Sequence, residues 1–221
     1  MRKFVSCLAT AILLSGACRI QAGTLLDFNM DSTHPAGASI RYAGGAAPLV
    51  GVNLSVDSVT GLDASQNDGS MLSLAGGLLN FQTGNLISSD ASHWAFGAGG
   101  SISITTTSPI LPGASDLLLS GTLKSVDVEL GSGVFKVVIA SYVNTVDSTL
   151  ASYFGVAPGS SWEGDLNLSF RAKGLPPGGF ESSRILSGDV TTGAVPEPSS
   201  VLMGGIGVLG LGLLKLRRRG R

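Results

Sequence analysis

Two histidines, His34 and His93, are the chain's only imidazoles. Neither sits in a His-x-x-x-His or Glu-x-x-His spacing, so the zinc-hydrolase pattern of ligands on one helix face is absent. Serines and aspartates are plentiful, but no Gly-x-Ser-x-Gly elbow presents a nucleophile. His34-Pro35 reads as a loop, and His93-Trp94 as a pair packed beside a strand. Glu129, Glu163 and Glu181 are the glutamates between residues 23 and 195. Their spacing suggests no acid/base pair of the kind a polysaccharide hydrolase needs.

Two other groups could bind rather than react. Asp63-Ala64-Ser65-Gln66-Asn67-Asp68-Gly69 alternates oxygen-bearing side chains before a glycine. Asp63, Ser65, Asn67 and Asp68 could wrap a hard cation such as calcium. An EF-type loop would need glycine at Asp68 and glutamate at Leu74, and the same residues also make an ordinary Asx turn. Trp94 and Trp162 could stack on sugar rings, and Trp162 has an acid beside it in Ser161-Trp162-Glu163. The competing reading places both indoles over a core. Asn53-Leu54-Ser55 and Asn167-Leu168-Ser169 match a glycosylation triplet, but both fall in expected strands.

The elements that must carry these residues read as short strands. Val50, Val52, Leu54 and Val56 alternate with small or polar residues, as do Val126, Val128 and Leu130, and Leu166, Leu168, Phe170 and Ala172. Period two sends one set inward and the other toward water. Further strands are expected at 24–30, 77–83, 101–106, 117–123, 134–141 and 184–191. Turn clusters such as Asn67-Asp68-Gly69 and Pro176-Pro177-Gly178-Gly179 separate them. The pattern slips between Leu123 and Val126, as a bulge or a strand boundary would make it. Val146, Leu150 and Tyr153 or Phe154 recur at helical spacing, with Thr145 as cap and Gly155 as stop. The fold class expected is all-β: a single β-sandwich or jelly-roll-like body over residues 23–194 with one short helix. Leu25-Leu26-Asp27-Phe28 and Leu78-Leu79-Asn80-Phe81 echo each other and could be equivalent strands.

Charge is segregated. Between residues 23 and 195 stand six basic residues against fourteen acidic ones, a net of −8. That balance lacks the basic footprint of a nucleic-acid binder. Arg2 and Lys3 precede an apolar run from Phe4 to Gly16, and small residues follow up to Ala22. This is a secretory signal over residues 1–22, cut after Ala22, which implicates the secretion translocon and signal peptidase. Both cysteines, Cys7 and Cys18, lie inside it, so the processed chain has no thiol. Ser15-Gly16-Ala17-Cys18 partly matches a lipoprotein box, the rival reading.

The other end changes character after Val195. Pro196-Glu197-Pro198 is stiff, Val201 to Leu214 carries no charge, and Lys215, Arg217, Arg218, Arg219 and Arg221 close the chain. As a helix, residues 199–216 span roughly 27 Å, near the hydrocarbon thickness of a bilayer. The terminal cations would stay cytoplasmic. Val195-Pro196-Glu197-Pro198, the apolar stretch and the basic end together resemble the bacterial PEP-CTERM sorting signal over 195–221. The resemblance implies processing by an exosortase at Val195, Pro196, Glu197 and Pro198. It also implies a Gram-negative host, transient anchoring in the inner membrane, and delivery to the envelope, cell surface or medium. The function expected is a non-enzymatic structural or interaction protein of the surface or matrix. A carbohydrate-binding module on exopolysaccharide is the alternative, and a secreted polysaccharide hydrolase is a third reading.

Overall fold

The computed structural model describes residues 25–31, 35–173 and 178–195. Among these residues eleven strands and one helix follow in order: β1 (Leu25–Met30), β2 (Ser39–Tyr42), β3 (Pro48–Leu62), β4 (Met71–Ser89), β5 (His93–Phe96), β6 (Ser101–Thr105), β7 (Leu117–Gly131), β8 (Val134–Val146), α1 (Ser148–Tyr153), β9 (Trp162–Phe170), β10 (Phe180–Ser182) and β11 (Ile185–Ala194). Every strand pairing is antiparallel. Three pairs of short strands each share one position in the wall. β1 and β2 both pair with β3, and β5 and β6 both lie between β4 and β7. β11 pairs with β1, and β10 pairs with β2. The wall therefore has eight staves in chain order, each beside its successor, and the last returns to the first. The sheet closes into an up-and-down barrel.

The all-β body with one short helix is as expected. The jelly-roll connectivity is not, because no connection crosses over. Each stave is followed by its own neighbour, so meander hairpins replace Greek keys.

Inward residues are apolar and outward ones polar. In β9, Leu166, Leu168 and Phe170 are buried, whereas Glu163, Asn167 and Arg171 just beyond are exposed. A barrel facing lipid shows the reverse pattern. The slip after Leu123 is a bulge inside β7, which keeps both Leu123 and Val126 in the core. One alternation behaves differently from its expectation. Leu49 and Leu54 are buried, but Val52 is exposed, so Val50 and Val52 do not share the face of Leu54 and Val56. The register shifts at Asn53, whose φ of 52° makes a bulge and whose N–H donates to Asn80 Oδ1 at 2.9 Å. A bulge inverts the inward face because the side-chain period is two. The echoed segments are both strands that flank β3 from opposite sides, with Phe28 and Phe81 in the core.

The two ends of the barrel are filled differently. At one end Phe180 is the hub of an aromatic cluster. Its ring lies 4.7 Å from Phe135, 5.3 Å from Trp94, 5.5 Å from Tyr42 and 6.0 Å from Phe170, centroid to centroid. At the other end α1 plugs the opening with Leu150, Ala151 and Phe154. Gly61 makes this possible, since a Cβ there would collide with the Phe154 ring. The helix cap is Asp147 rather than Thr145, which still belongs to β8. The Asp147 carboxylate accepts from Thr149 N–H at 3.0 Å and Leu150 N–H at 2.9 Å, satisfying the first turn's free donors.

Truncating the aromatic hub should be felt throughout that end. Phe180→Ala is expected to cost about 3–5 kcal/mol by denaturant titration, with a red shift of Trp94 emission. A loss below about 1 kcal/mol would show that the cluster contributes little.

Candidate functional site

The geometry of the chain's exit is set by β11. It pairs with β1 on one side, Leu25 opposite Gly193, and with β9 on the other, Ala194 opposite Trp162. Val195 N–H then donates to Ser161 O at 2.8 Å. Pro196 follows, and a proline has no N–H to continue the ladder. The ordered sheet thus runs to the residue before Pro196-Glu197-Pro198. Leu25 and Gly193 are directly opposed, so β1 starts and β11 finishes at the same end of the barrel, the one plugged by α1. A buried polar group braces this exit: Thr192 Oγ1 donates to Asn144 Oδ1 at 3.0 Å, and Tyr142 OH to Thr191 O at 2.8 Å. Burial holds the Tyr142 hydroxyl well above the ordinary phenol range, so it stays a donor.

Pro196, Glu197, Pro198, Lys215, Arg217, Arg218, Arg219 and Arg221 lie outside the described residues, as do the expected signal over 1–22 and His34. Among the described residues no helix is long and apolar enough to cross a membrane.

Trp94 and Trp162 are in the core, 1% and 2% exposed. Trp94 packs on Phe135 and Phe180, and Trp162 lies inward at the start of β9. Neither indole offers a face to a sugar without opening the barrel, so their place is structural. The reason is alternation: each occupies an inward position of its strand.

The Asp63–Asp68 loop, between β3 and β4, is a clasp on α1. Ser65 Oγ donates to Gly155 O at 3.0 Å, and Asn67 Nδ2 donates to Tyr153 O at 2.7 Å. Gln66 N–H reaches Phe154 O, and Asp68 Oδ1 accepts from Ala64 N–H at 3.1 Å. These bonds satisfy carbonyls at the helix C-terminus. Gly155 has a φ of 81°, and a Cβ there would strike Ser65 Oγ, so only glycine lets the loop seat. Two of the four proposed cation ligands are thereby turned toward the protein, and no metal-holding cluster occurs among the described residues.

His93 Nε2 and Asp127 Oδ1 lie 3.0 Å apart across β5 and β7 on the outer surface. Among the described residues no hydroxyl or thiol joins them. Glu163 is engaged by Lys124 at 2.9 Å, while Glu129 and Glu181 stand on β7 and β10. A shallow cleft bordered by Pro35, Asn53, Ser55, Leu78 and Thr107 contains no acid or base.

Sequence reasoning missed one pair. Asp27 on β1 and Asp189 on β11 face outward as diagonal neighbours, since Asp27 is opposite Thr191 and Asn29 opposite Asp189. Burial, then the charge of Asp189, raises the Asp27 carboxyl above the usual carboxylate range. Burial also raises Asp189, against a hydrogen bond from Asn167 that lowers it. Asp27 Oδ1 is buried without a hydrogen-bond partner among the described residues. The two aspartates are more than 160 positions apart, and no local signal joins them.

This pair sets a pH dependence. A carboxyl whose folded pKa is raised holds its proton more tightly in the fold than in the unfolded chain. No penalty exists below the unfolded pKa. Stability is lost as pH rises from the ordinary carboxylate range through the raised folded values. Asp27→Asn should therefore raise Tm at pH 7 and leave it unchanged at pH 3, read by calorimetry. A lower Tm at pH 7 would mean that the ionised pair is stabilising. Asn67→Ala should cost about 1 kcal/mol by loosening α1, and millimolar calcium should leave the Tm of the unsubstituted chain where it is.

Comparison with known proteins leaves the barrel without a counterpart: no curated protein and no solved structure matches the chain. The tail does have one. Residues 194–219 match the model of the PEP-CTERM protein-sorting motif, beginning at the last residue of β11. The chain carries that motif at the point where its sheet ends, and the motif marks an exosortase substrate.

Proposed function

We propose that this chain is an exported surface or matrix protein of non-enzymatic, structural or interaction type. The translocon and signal peptidase remove residues 1–22. Residues 199–216 then hold the chain in the inner membrane of a Gram-negative cell, with the terminal arginines on the cytoplasmic side. Exosortase acts at Val195–Pro198 and sends the barrel to the envelope, the surface or the medium. The observation that carries this reading is the junction itself: the sorting motif begins at Ala194, where the last strand stops. Processing there releases a complete barrel, because Ala194 is in the ladder and a proline at 196 has no N–H to extend it. An interaction role agrees with the filled interior, which leaves the outer surface as the working face.

Intact mass of the protein from native cell surface and medium tests this. A species from near Gly23 to residues 196–198 is expected, and Glu197→Ala should accumulate the uncut form in the inner membrane. A tail that stays uncut in the unsubstituted protein would overturn the sorting reading and leave a C-terminally anchored domain.

A further inference from the structure

The net charge of −8 conceals a strong asymmetry between the barrel's two ends. Five of the six basic residues of the body, Arg41, Lys136, Arg171, Lys173 and Arg184, collect at the end opposite the tail's exit. β2, β8, β9 and β10 place them there. Arg41 is directly opposite Glu181, and Glu181 is bridged to Lys173. Lys136 is opposite Ser169, one outward step from Arg171. Arg184 and Arg171 lie side by side, one step past the pair Ile185 and Phe170. Ser182 Oγ fixes that proximity, standing 2.6 Å from Arg171 O and 2.9 Å from Arg184 O. All five basic residues are exposed.

Acids face three of the five and leave the Arg171/Arg184 pair unopposed. The ion pairs His93–Asp127 and Lys124–Glu163 involve none of the five. Glu181 stands opposite Arg41 and is bridged to Lys173, and Glu129 is directly opposite Lys136, so Arg171 and Arg184 are the two of the five with no acid at their paired positions. The body's one other cation is Lys124. Like charges on adjacent strands destabilise a sheet. Arg171 and Arg184, just past β9 and just before β11, carry like charges on neighbouring backbone, which an anionic ligand would screen.

We infer that the basic end formed by Arg41, Lys136, Arg171, Lys173 and Arg184 binds an acidic polysaccharide, a chain with repeated carboxylates. The patch crosses four strands, about 14 Å at ordinary strand spacing. That width suits several charges spaced along one polymer and exceeds a single small anion. A guanidinium pair is suited to grip carboxylates through two parallel hydrogen bonds. A glycan is favoured over nucleic acid by the remaining surface. Stiff duplex DNA, with a charge about every 1.7 Å, would extend onto the acidic flanks and be repelled. The patch also points away from the membrane end, which disfavours lipid headgroups. The choice of a glycan rests on the surface location proposed above.

The test uses the full chain in neutral detergent with immobilised polygalacturonate, neutral dextran and duplex DNA. Binding to polygalacturonate alone is expected, weakening between about 50 and 200 mM salt. Arg171→Glu with Arg184→Glu should reduce it on the order of tenfold, and Lys136→Glu with Lys173→Glu should act in the same direction. Near-UV circular dichroism of both variants should be unchanged. Lys124→Gln should have no effect. A chain with Arg217, Arg218, Arg219 and Arg221 all changed to Gln should still lose binding on the Arg171/Arg184 reversal. Absence of binding, insensitivity to both reversals, or equal retention on DNA would overturn the assignment. The mass measurement reads sorting independently, so a correctly processed chain that ignores polygalacturonate sinks the glycan site alone.

Discussion

The contact on which the rest of the molecule depends is the pairing of its last strand with its first. Leu25 to Asn29 zip against Gly193 to Asp189, and this seam turns an eight-stave meander into a closed wall. An open meander would leave two unpaired edges, each a template for aggregation. Closure removes both and completes the enclosure of Leu26, Phe28 and Val190. It also joins segments separated by nearly the whole body, the kind of contact whose loop-closure entropy must be met by burial elsewhere. Asp27 and Asp189 sit on this seam with raised pKa values, so it carries an electrostatic weakness alongside its packing.

The seam has consequences for placement. With the first and last strands adjacent, the described body begins and finishes at one end of the barrel. That end is closed by α1 and held by the 63–68 loop. The other end is closed by the Phe180 cluster and carries nearly all the positive charge of the body. Eight staves make an interior that side chains can fill, and here they fill it. The outer surface is formed by the polar side chains that alternate with the inward apolar ones.

Much of the strand content was legible because period-two alternation follows from the pleat. The two long strands β3 and β7 show the limit. Their bulges at Asn53 and after Leu123 shift which residues face inward. In β7 the slip was visible as Leu123 against Val126. In β3, Val50 and Val52 continue the apolar pattern on the wrong face, so the inversion left no trace. The helix was legible from Leu150 and Phe154, but its cap moved to Asp147 because β8 continues through Val146.

The sequence by itself determined the sorting tail and the strand-rich body. These are written in contiguous residues, where local pattern and local chemistry coincide. Only the tertiary structure decided that the tryptophans are core, that Asp63–Asp68 clasps a helix, and that Asp27 meets Asp189. It alone showed that five scattered cations share one end. Each of these is a relation between strands, set by register and closure, and register is fixed by pairing partners that no single segment specifies.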